Sequence, residues 1–565
     1  MEIIRKLFLG IACCAMLALV CMVDSGYAAD SNVIIDRERT RAHDVPKSQP
    51  KVQIEEEKSE PTLQSGTVLT LRSITVTGSS VFSQEELLAP YKSLFGTKIS
   101  YEKLRAISRE MTKKYRDAGY VLSRVIMPPQ SASIDNADIQ LIALEGFIDS
   151  IEYSGDSKVL ERFKRYFASI EKKFLAMKPL KHSDFERYML LMKDVPGIEI
   201  SSRFERGAVS GGSKLRIDVQ GDFIDGSLSF GNTGTDETGP ILGSVSLALN
   251  TLPLVGNKTS VTYTQAMDAQ EYHSIQVANR YQFWNGLLFS LSYAFSASPE
   301  LDSDFANMWE YSTNSTTWNV GLAYPLIRSR DMNLSLGLNY ENRNSDSYLS
   351  EDHFQRDRLR TLSANVNFDF ADSFGGITQL IATVYRGMNI LYATDESRTA
   401  SNTEAPAEYW KFDFYASREQ QLPHNFSLFG SAEAQFSTAS LSSYNRFSYG
   451  GSQFGRGYEP GLLEGDNALA LTFEPRYTMY PTDATSLQFF SFIDYGSIWN
   501  TEEIKDIPER EYGASVGFGI RYWGHIGSSK MPDFKLSAYI GQPLRPVEDN
   551  NADSPRLVLQ GAIFF

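Results

Sequence analysis

The chain has 565 residues, a formal net charge of −15 and many aromatic side chains. Its length allows several domains, and its acidic balance argues against nucleic acid as a partner, because no excess of Lys and Arg is available to neutralise phosphates. The 34 Phe, 29 Tyr and 6 Trp suit a boundary between water and lipid, although a large soluble β protein would have a similar composition.

The first residues have the pattern of a secretory signal peptide. Arg5 and Lys6 precede an apolar run from Leu7 to Val23, and small residues follow. We therefore predict that residues 1–28 form a signal peptide cleaved after Ala28, with a retained membrane anchor as the alternative. Cleavage would remove all three cysteines, so that the mature chain would form neither a disulfide nor a thiolate metal site.

Residues 29–67 are mostly linker by their composition. Pro46, Pro50 and Pro61 interrupt a polar, acidic stretch, which is typical of extended chain. The piece from Val33 to Ala42 is predicted either to form a short helix or to be disordered.

Residues 68–146 are predicted to form a small α+β domain with the order β-α-α-β-β. Ser83 and Glu86 make a capping box that opens the first helix, and Gly119 ends the second. The predicted elements are a strand from Leu69 to Val76, a helix from Ser83 toward Phe95, a helix from Tyr101 to Ala118, and strands from Tyr120 to Met127 and from Ile139 to Leu144.

The same order of elements returns in residues 147–221, which indicates an internal duplication. Its predicted elements are a strand from Ile148 to Tyr153, helices from Val159 to Phe174 and from Ser183 to Lys193, and strands from Ile198 to Phe204 and from Lys214 to Val219.

Each copy has a sheet edge and a neighbouring helix that suit the capture of an extended peptide as an added strand. In the first copy the helix from Tyr101 to Ala118 would form one wall of this groove. Arg109 and Lys113 on that helix would affect the rate of docking more than its affinity. Neither copy contains a nucleophile with a base, or a glycine loop of phosphate-binding spacing.

Residues 222–565 lack helix signals and consist of segments that alternate between apolar and polar residues. Examples are Ser290 to Phe295 and Asn333 to Asn339. About sixteen such segments of roughly ten residues predict an antiparallel transmembrane barrel. Short turns such as Leu252-Pro253-Leu254 alternate with long polar loops such as Ala393 to Glu408, and the chain ends on an aromatic strand. A soluble protein with several β-sheets is the alternative. No segment after the signal is long enough for a spanning helix, so a membrane location requires a closed barrel.

One loop and one strand form the candidate site. Gly455-Arg456-Gly457-Tyr458 places an arginine between two glycines, and Phe492-x-Asp494-x-Gly496 lies on a strand that puts Phe492 and Asp494 on the face opposite Ile493. In a membrane barrel, Asp494 would point into the lumen and pair with Arg456 from a loop folded inward. The alternative is a solvated arginine and an unrelated aspartate.

With these pieces in order, the chain resembles the two-partner secretion transporters of the bacterial outer membrane, from about Val68 to Phe565. Three motifs carry the resemblance: Val125-Ile126-Met127-Pro128-Pro129-Gln130, Asp194-Val195-Pro196-Gly197, and the loop and strand pair just described. The resemblance implies two periplasmic POTRA domains, at 68–146 and 147–221, and a sixteen-strand outer-membrane barrel at 222–565. The helix at 33–42 would be a plug of the resting pore.

The implied function is to receive an unfolded secreted protein, of adhesin, haemolysin or toxin type, and to conduct it to the cell surface. The implied partners are this exoprotein and outer-membrane lipid, with a monomeric barrel, no nucleic acid, no cofactor, no metal and no catalytic residue. A barrel-assembly insertase of the same superfamily is the first alternative, and a passive porin or an outer-membrane enzyme is the next. The six histidines are scattered and form no catalytic arrangement with a nucleophile.

Overall fold

A computed structural model describes residues 68–565 apart from the short segments 131–134, 156, 236–238, 268–271, 299–310, 351, 480–484, 503–509, 526–532 and 547–553. The predicted signal peptide (1–28) and the predicted linker with its plug helix (29–67) lie outside the described residues. Within the described part of the chain, no helix has the length and apolar character needed to cross a membrane.

The first α/β unit is a four-stranded sheet covered by helices. Strand order in the sheet is β2-β1-β4-β3, and β1 runs parallel to β4. Its elements are β1 (Val68–Thr77), α1 (Gln84–Leu88), a 3₁₀ helix (Ala89–Leu94), β2 (Lys98–Ser100), α2 (Tyr101–Asp117), β3 (Arg124–Ile126) and β4 (Ala137–Leu144). The apolar stripe of α2, which includes Leu104, Ile107 and Met111, is buried against this sheet.

Three details of this unit differ from the prediction. The first helix stops at Leu88, because Pro90 has no N–H to donate to the carbonyl of Glu86, and Lys114 Nζ binds that carbonyl instead at 2.8 Å. The strand predicted from Tyr120 begins only at Arg124, since the end of α2 turns through Tyr120. The three-residue strand β2 was too short to predict.

The second α/β unit repeats the arrangement without a counterpart of β2. Its strand order is β5-β7-β6, with β5 parallel and β6 antiparallel to β7. Its elements are β5 (Phe147–Gly155), α3 (Ser157–Ala176), α4 (His182–Lys193), β6 (Ile198–Arg206) and β7 (Gly212–Gly221). Its core also includes Val255, and partly buried Phe223 and Trp284 pack against it, so this core extends onto the next part of the chain.

Sixteen of the remaining strands form a closed antiparallel barrel, which confirms the predicted fold. Strand β25 pairs with β8 to close it. The barrel strands are β8 (Ile224–Gly231), β9 (Leu242–Asn250), β10 (Asn257–Ala266), β11 (His273–Gln282), β12 (Leu288–Ser298), β13 (Tyr311–Arg328), β14 (Met332–Leu349), β15 (Asp352–Ala371), β16 (Gly376–Gly387), β17 (Trp410–Gln421), β18 (Phe426–Ser437), β21 (Asn467–Met479), β22 (Thr485–Trp499), β23 (Arg510–His525), β24 (Asp533–Pro543) and β25 (Arg556–Phe564).

The alternation of side chains assigns the two faces of the barrel. Apolar side chains such as Leu338, Phe414 and Ile493 are exposed on the outside, where a bilayer would cover them, and polar residues alternate with them on the inside. Strands β13 to β15 have 18 to 20 residues rather than about ten, so they extend beyond the band that a membrane would cover.

Candidate functional site

The connection from β18 to β21 folds into the barrel. It contains a 3₁₀ turn (Ser443–Asn445) and a small hairpin of β19 (Phe447–Tyr449) and β20 (Leu463–Gly465), and its tip carries the predicted motif from Gly455 to Tyr458. We call residues 438–466 the inward loop. Its core, which includes Phe447, Tyr449 and Phe454, is buried together with Ala468 and Ile498 of the barrel wall, so the loop has a defined conformation.

Arg456 and Asp494 are in direct contact inside the barrel. Arg456 Nε donates to Asp494 Oδ2 at 3.0 Å and Nη2 donates to Oδ1 at 2.8 Å, which is the bidentate geometry that guanidinium and carboxylate groups favour. The backbone N–H of Arg456 also donates to Oδ2, at 2.9 Å. Asp494 is 0% and Arg456 4% exposed, so each charged group contacts the other instead of water.

A second carboxylate, Glu474 on β21, also contacts Arg456, and sequence reasoning missed it. Glu474 Oε1 accepts from Arg476 at 2.7 Å and from Arg521 at 2.6 Å, while Arg456 Nη2 donates to Thr472 at 2.7 Å. The available signal was the alternation of Thr472, Glu474 and Arg476, which places all three on the inner face of one strand.

Aromatic rings lie under two of these guanidinium groups. Arg456 is 3.7 Å from the centre of the Phe492 ring, and Arg521 is 3.8 Å from that of Phe490. A cation over a ring face is stabilised by the ring quadrupole, and more so where water is excluded. Phe492 therefore stabilises the positive charge of Arg456, and Asp494, two residues further along the same strand, neutralises it.

Glycines make room for the loop backbone at the wall. A Cβ on Gly541 of β24 would lie 2.6 Å from the carbonyl oxygen of Arg456, and one on Gly457 would lie 2.8 Å from Ser515 Cβ. Gly455 has φ +73°, a conformation that other residues rarely adopt. The glycines on both sides of Arg456 thus allow a close approach that a side chain would prevent.

Gly496 makes room for an aromatic ring of the inward loop. Tyr449 is fully buried, and a Cβ on Gly455, Gly496 or Gly513 would lie 2.6, 2.3 or 2.4 Å from its ring. Its hydroxyl donates to the carbonyl of Gly513 at 3.2 Å. The ring fits a socket formed by these glycines, and this socket fixes the base of the inward loop as the Arg456 cluster fixes its tip.

Tyr458, the last residue of the loop motif, connects the tip to three further parts of the wall. Its hydroxyl lies 2.8 Å from the carbonyl oxygen of Arg545 and accepts from the N–H of Ala514 at 3.1 Å, and its own carbonyl accepts from Arg556 at 3.1 Å. Together these contacts attach the loop to strands β21 to β25. They can hold a segment in place, and no nucleophile with a general base occurs among them.

The motif Asp194-Val195-Pro196-Gly197 lies at the joint between the second α/β unit and the barrel. Asp194 accepts two hydrogen bonds from Arg328 at the end of β13, at 2.8 and 2.6 Å, and the carbonyl of Pro196 accepts from Thr251 at 2.6 Å. Gly197 has φ +67°, and a Cβ there would lie 2.4 Å from Asn250 Cβ. In the sequence this motif was one of the three that carry the family resemblance, and nothing near it in sequence indicates these contacts with the barrel.

Further bonds connect the helices of this unit to turns of the barrel. Arg162 donates to the carbonyl of Thr251, Arg187 donates to those of Pro325 (2.7 Å) and Leu326 (2.9 Å), and Arg330 pairs with Glu186. Two turns of the barrel, between β9 and β10 and between β13 and β14, are therefore attached to the second α/β unit.

We expect Asp194→Asn to loosen this joint, because the amide loses the charge that binds Arg328 while keeping its shape. Hydrogen bonds to charged groups contribute about 1.5–3 kcal/mol, and the loss should be at the low end because both side chains are partly exposed. Limited proteolysis between Gly221 and Ile224 should become faster.

Arg203→Gln is the matched control, because its ion pair with Glu205 lies within the second α/β unit. Equal cleavage rates for Asp194→Asn and the unchanged protein would show that Asp194 does not hold the joint.

The predicted peptide groove beside α2 is partly filled by the helix itself. The backbone N–H of Val125 on edge strand β3 donates to Thr112 Oγ1 at 2.9 Å, and its carbonyl accepts from Ser108 at 2.6 Å. An added strand would have to displace these hydroxyls. In the second α/β unit, the edges of β5 and β6 are longer, at nine residues each.

Among the described residues, no group of His, Cys, Asp and Glu side chains has an arrangement that could hold a metal ion. The polar groups of the inward loop are instead arranged in pairs with the wall, which suits a structural or gating role.

Two family models match the chain. Residues 211–521 match the haemolysin secretion/activation protein family ShlB/FhaC/HecB, and residues 69–146 match the POTRA domain of ShlB type. The second match coincides with the first α/β unit.

Curated relatives share low identity over most of the chain. The chain is 21% identical over 483 residues to the heme/hemopexin transporter protein HuxB of Haemophilus influenzae, covering 83% of this chain and 82% of that protein. It is 24% identical over 477 residues to the outer membrane transporter CdiB of Escherichia coli, covering 82% and 78%.

Solved structures of CdiB have the same fold. CdiB from Escherichia coli superposes with a TM-score of 0.72 at 19% identity, covering 96% of this chain and all of that chain. CdiB from Acinetobacter baumannii gives a TM-score of 0.62 at 17% identity, with 95% and 97% covered.

Proposed function

Because the chain belongs to the haemolysin secretion/activation protein family ShlB/FhaC/HecB, we propose that it conducts one dedicated, unfolded partner protein from the periplasm to the cell surface. The family and the closed barrel make it an outer-membrane transporter of the two-partner secretion type, with its POTRA region on the periplasmic side. The partner that we propose is an exoprotein of adhesin, haemolysin or toxin type.

The observation that carries the proposal is the inward loop, which is attached to the wall through the buried cluster of Arg456, Asp494 and Glu474. Replacing a buried ion cluster by apolar residues is often neutral for stability, so such clusters are better explained by the conformation that they specify. The role that we propose for Arg456 and Asp494 is to hold the loop in the position that allows transport.

We propose the following division of labour along the chain. Residues 1–28 direct export, 29–67 contain the linker and plug, 68–146 and 147–221 are POTRA domains that receive the partner, and 222–565 form the barrel. The match of a POTRA model to residues 69–146 and the repeated order of elements after Phe147 support this division.

The partner would dock by adding a strand to a sheet edge of the POTRA domains. Strands β5 and β6 are the longer edges, and at β3 the hydroxyls of Ser108 and Thr112 compete with an incoming peptide. Helix α2 remains the proposed wall of the first groove, with Arg109 and Lys113 acting on the rate.

No hydrolysis is needed to drive transport in this proposal. A partner that arrives unfolded and folds outside gains its folding free energy there, typically about 5–15 kcal/mol for a domain, which disfavours backward sliding. The proposal therefore includes no catalytic residue and no cofactor. A passive porin would have no use for POTRA domains that bind a peptide.

Quantitative proteomics of the extracellular medium tests the function. We expect deletion of the gene to remove one large secreted protein, and the unchanged chain, but not Arg456→Ala, to restore it. An unchanged extracellular proteome, under conditions where the chain is present in the outer membrane, would contradict a secretion role.

A further inference from the structure

The inward loop occupies one side of the barrel interior. Its tip contacts Thr472 and Glu474 on β21, Asp494 on β22 and Ser515 on β23, and its backbone lies against Gly541 on β24. In a closed ring of sixteen strands, the strands opposite β22 and β23 are β12 and β13, eight positions away. The strands around β12 and β13 therefore lie across the barrel from the strands that hold the tip of the loop.

The inner face of β10 to β15, which we call the neutral wall, differs chemically from the side that holds the loop. Inward positions such as Ser292, Asn319 and Asn339 alternate with exposed lipid-facing residues such as Leu291 and Val320. In the periplasmic half of these strands the inward side chains are mainly Ser, Thr, Asn, Gln, Ala and Gly.

Charged side chains on the neutral wall form small groups at two levels. Lys258 and Arg280 are opposite each other near the periplasmic end, and Glu341, opposite Asn319 near the middle of β14, pairs with Arg343 at 3.3 Å. The loop side, in contrast, has a network of buried carboxylates and guanidinium groups. One interior surface thus holds a loop by charge, while the other offers mainly hydroxyls and amides.

A hydroxyl without a partner lies on the same wall. Ser315 on β13 is 3% exposed, and its Oγ has no hydrogen-bond partner among the described residues. A buried polar group is normally paired, and leaving it unpaired costs about 1–3 kcal/mol. Such a hydroxyl would gain a hydrogen bond from the N–H or C=O of a chain that displaces the groups covering it.

The outer end of the neutral wall is covered by the inward loop itself. Tyr444, in the 3₁₀ turn of that loop, contacts Ser345 on β14 through its hydroxyl, and Arg343 lies 5.3 Å from the centre of its ring. Tyr444 is 8% exposed. The loop thus reaches from β18 to Ser345 on β14, which is the cross-strand neighbour of Ser315 on β13.

We propose that the translocating polypeptide passes along the neutral wall, and that Tyr444 closes the outer end of this path. That the passing molecule is an unfolded protein rests on the proposed function. A neutral wall suits such a cargo, because an unfolded chain presents both signs of charge, and each hydroxyl–peptide hydrogen bond contributes only about 0.5–1.5 kcal/mol net. The cargo is held weakly at many points and can therefore move on.

Single cysteines test the path in the full-length protein, whose sequence has no cysteine after Cys21. Ser292→Cys and Asn339→Cys, both partly exposed, report on the neutral wall, and Gln488→Cys, inward-facing and 7% exposed on β22, reports on the side that holds the loop. The probe is an unfolded Gly-Ser peptide with a terminal maleimide, added to cells whose periplasm has been opened. We expect rapid modification of both wall cysteines, measured by intact mass, and little at Gln488→Cys.

The gate is tested by adding the same peptide to the outside of intact cells. Ser292→Cys should react slowly when Tyr444 is present and as fast as in opened cells when combined with Tyr444→Ala. Tyr444→Phe keeps the ring beside Arg343 but loses the hydroxyl contact with Ser345, so it should give an intermediate rate of modification. It replaces the alanine variant in this test if that variant does not assemble.

Equal modification of Gln488→Cys and Ser292→Cys would overturn the proposed path, and outside rates that do not depend on Tyr444 would overturn the gate. No secreted partner is present in either assay. A negative result in these assays therefore does not contradict the proposed secretion function. A negative result in the secretion experiment likewise does not contradict the proposed path.

Discussion

Arg456→Ala should abolish secretion while leaving the barrel inserted. The substitution leaves Asp494 buried without its guanidinium partner, and breaking a buried pair in this way typically costs about 3–5 kcal/mol. The cost falls on the inward position of the loop, because the barrel closes through backbone hydrogen bonds that do not involve Arg456. The partner in the medium should be measured at matched levels of heat-modifiable barrel.

Asp494→Ala should be milder than Arg456→Ala. Arg456 keeps Glu474 and Thr472 when Asp494 is removed, whereas Asp494 loses the guanidinium that binds it when Arg456 is removed. The double variant should secrete no worse than Arg456→Ala, because both changes remove one shared interaction. Losses that add fully would show that the two residues act independently.

Two further variants separate charge from geometry. Arg456→Lys keeps the charge but cannot reproduce the bidentate bond to Asp494 together with the contacts to Glu474 and Thr472, so it should restore little secretion. Arg510→Ala removes a guanidinium that lies 4.4 Å from the ring centre of Trp499, away from the cluster, and should secrete normally. Strong secretion by Arg456→Lys would mean that charge alone positions the loop.

The fold was predictable because its signals are local and repeated. Capping at Ser83, the glycine at the end of α2 and the alternation along each barrel strand depend on residues close in sequence. Pairing follows largely from strand order in an up-and-down barrel. Tertiary contacts decided the exceptions, such as Lys114 binding the carbonyl that Pro90 leaves free.

The site was less predictable than the fold, since its members come from distant strands. The loop arginine and the strand aspartate stand out because glycines flank the first and apolar residues flank the second. Glu474 and Arg521 lie on strands whose sequence patterns do not differ from those of the neighbouring strands. Only the closure of the barrel brings them to Arg456. The same holds for Asp194 and Arg328, which are 134 residues apart.

Deleting Val68 to Gln220 should leave a closed, inserted barrel that secretes nothing. The sixteen barrel strands pair with one another, and none of their described residues pairs with the deleted segment, so their ladder survives the deletion. The deletion exposes Val255 and Trp284, which now pack against the second α/β unit. Uncovering two such side chains costs a few kcal/mol at about 1.5–3 kcal/mol each, which lowers the stability of nearby turns more than that of the barrel.

A smaller deletion, Val68 to Glu145, is the matched comparison, because it leaves the joint between Asp194 and Arg328 intact. Both deletions should show the heat-modifiable mobility of a folded barrel in electrophoresis, and both should abolish secretion if the first POTRA domain is needed for docking. The larger deletion should also melt at a lower temperature, because it alone uncovers Val255 and Trp284. Since the barrel strands remain paired in both, normal secretion by either truncated chain would mean that the pore accepts its partner without that domain, and the receiving role assigned to it would be wrong.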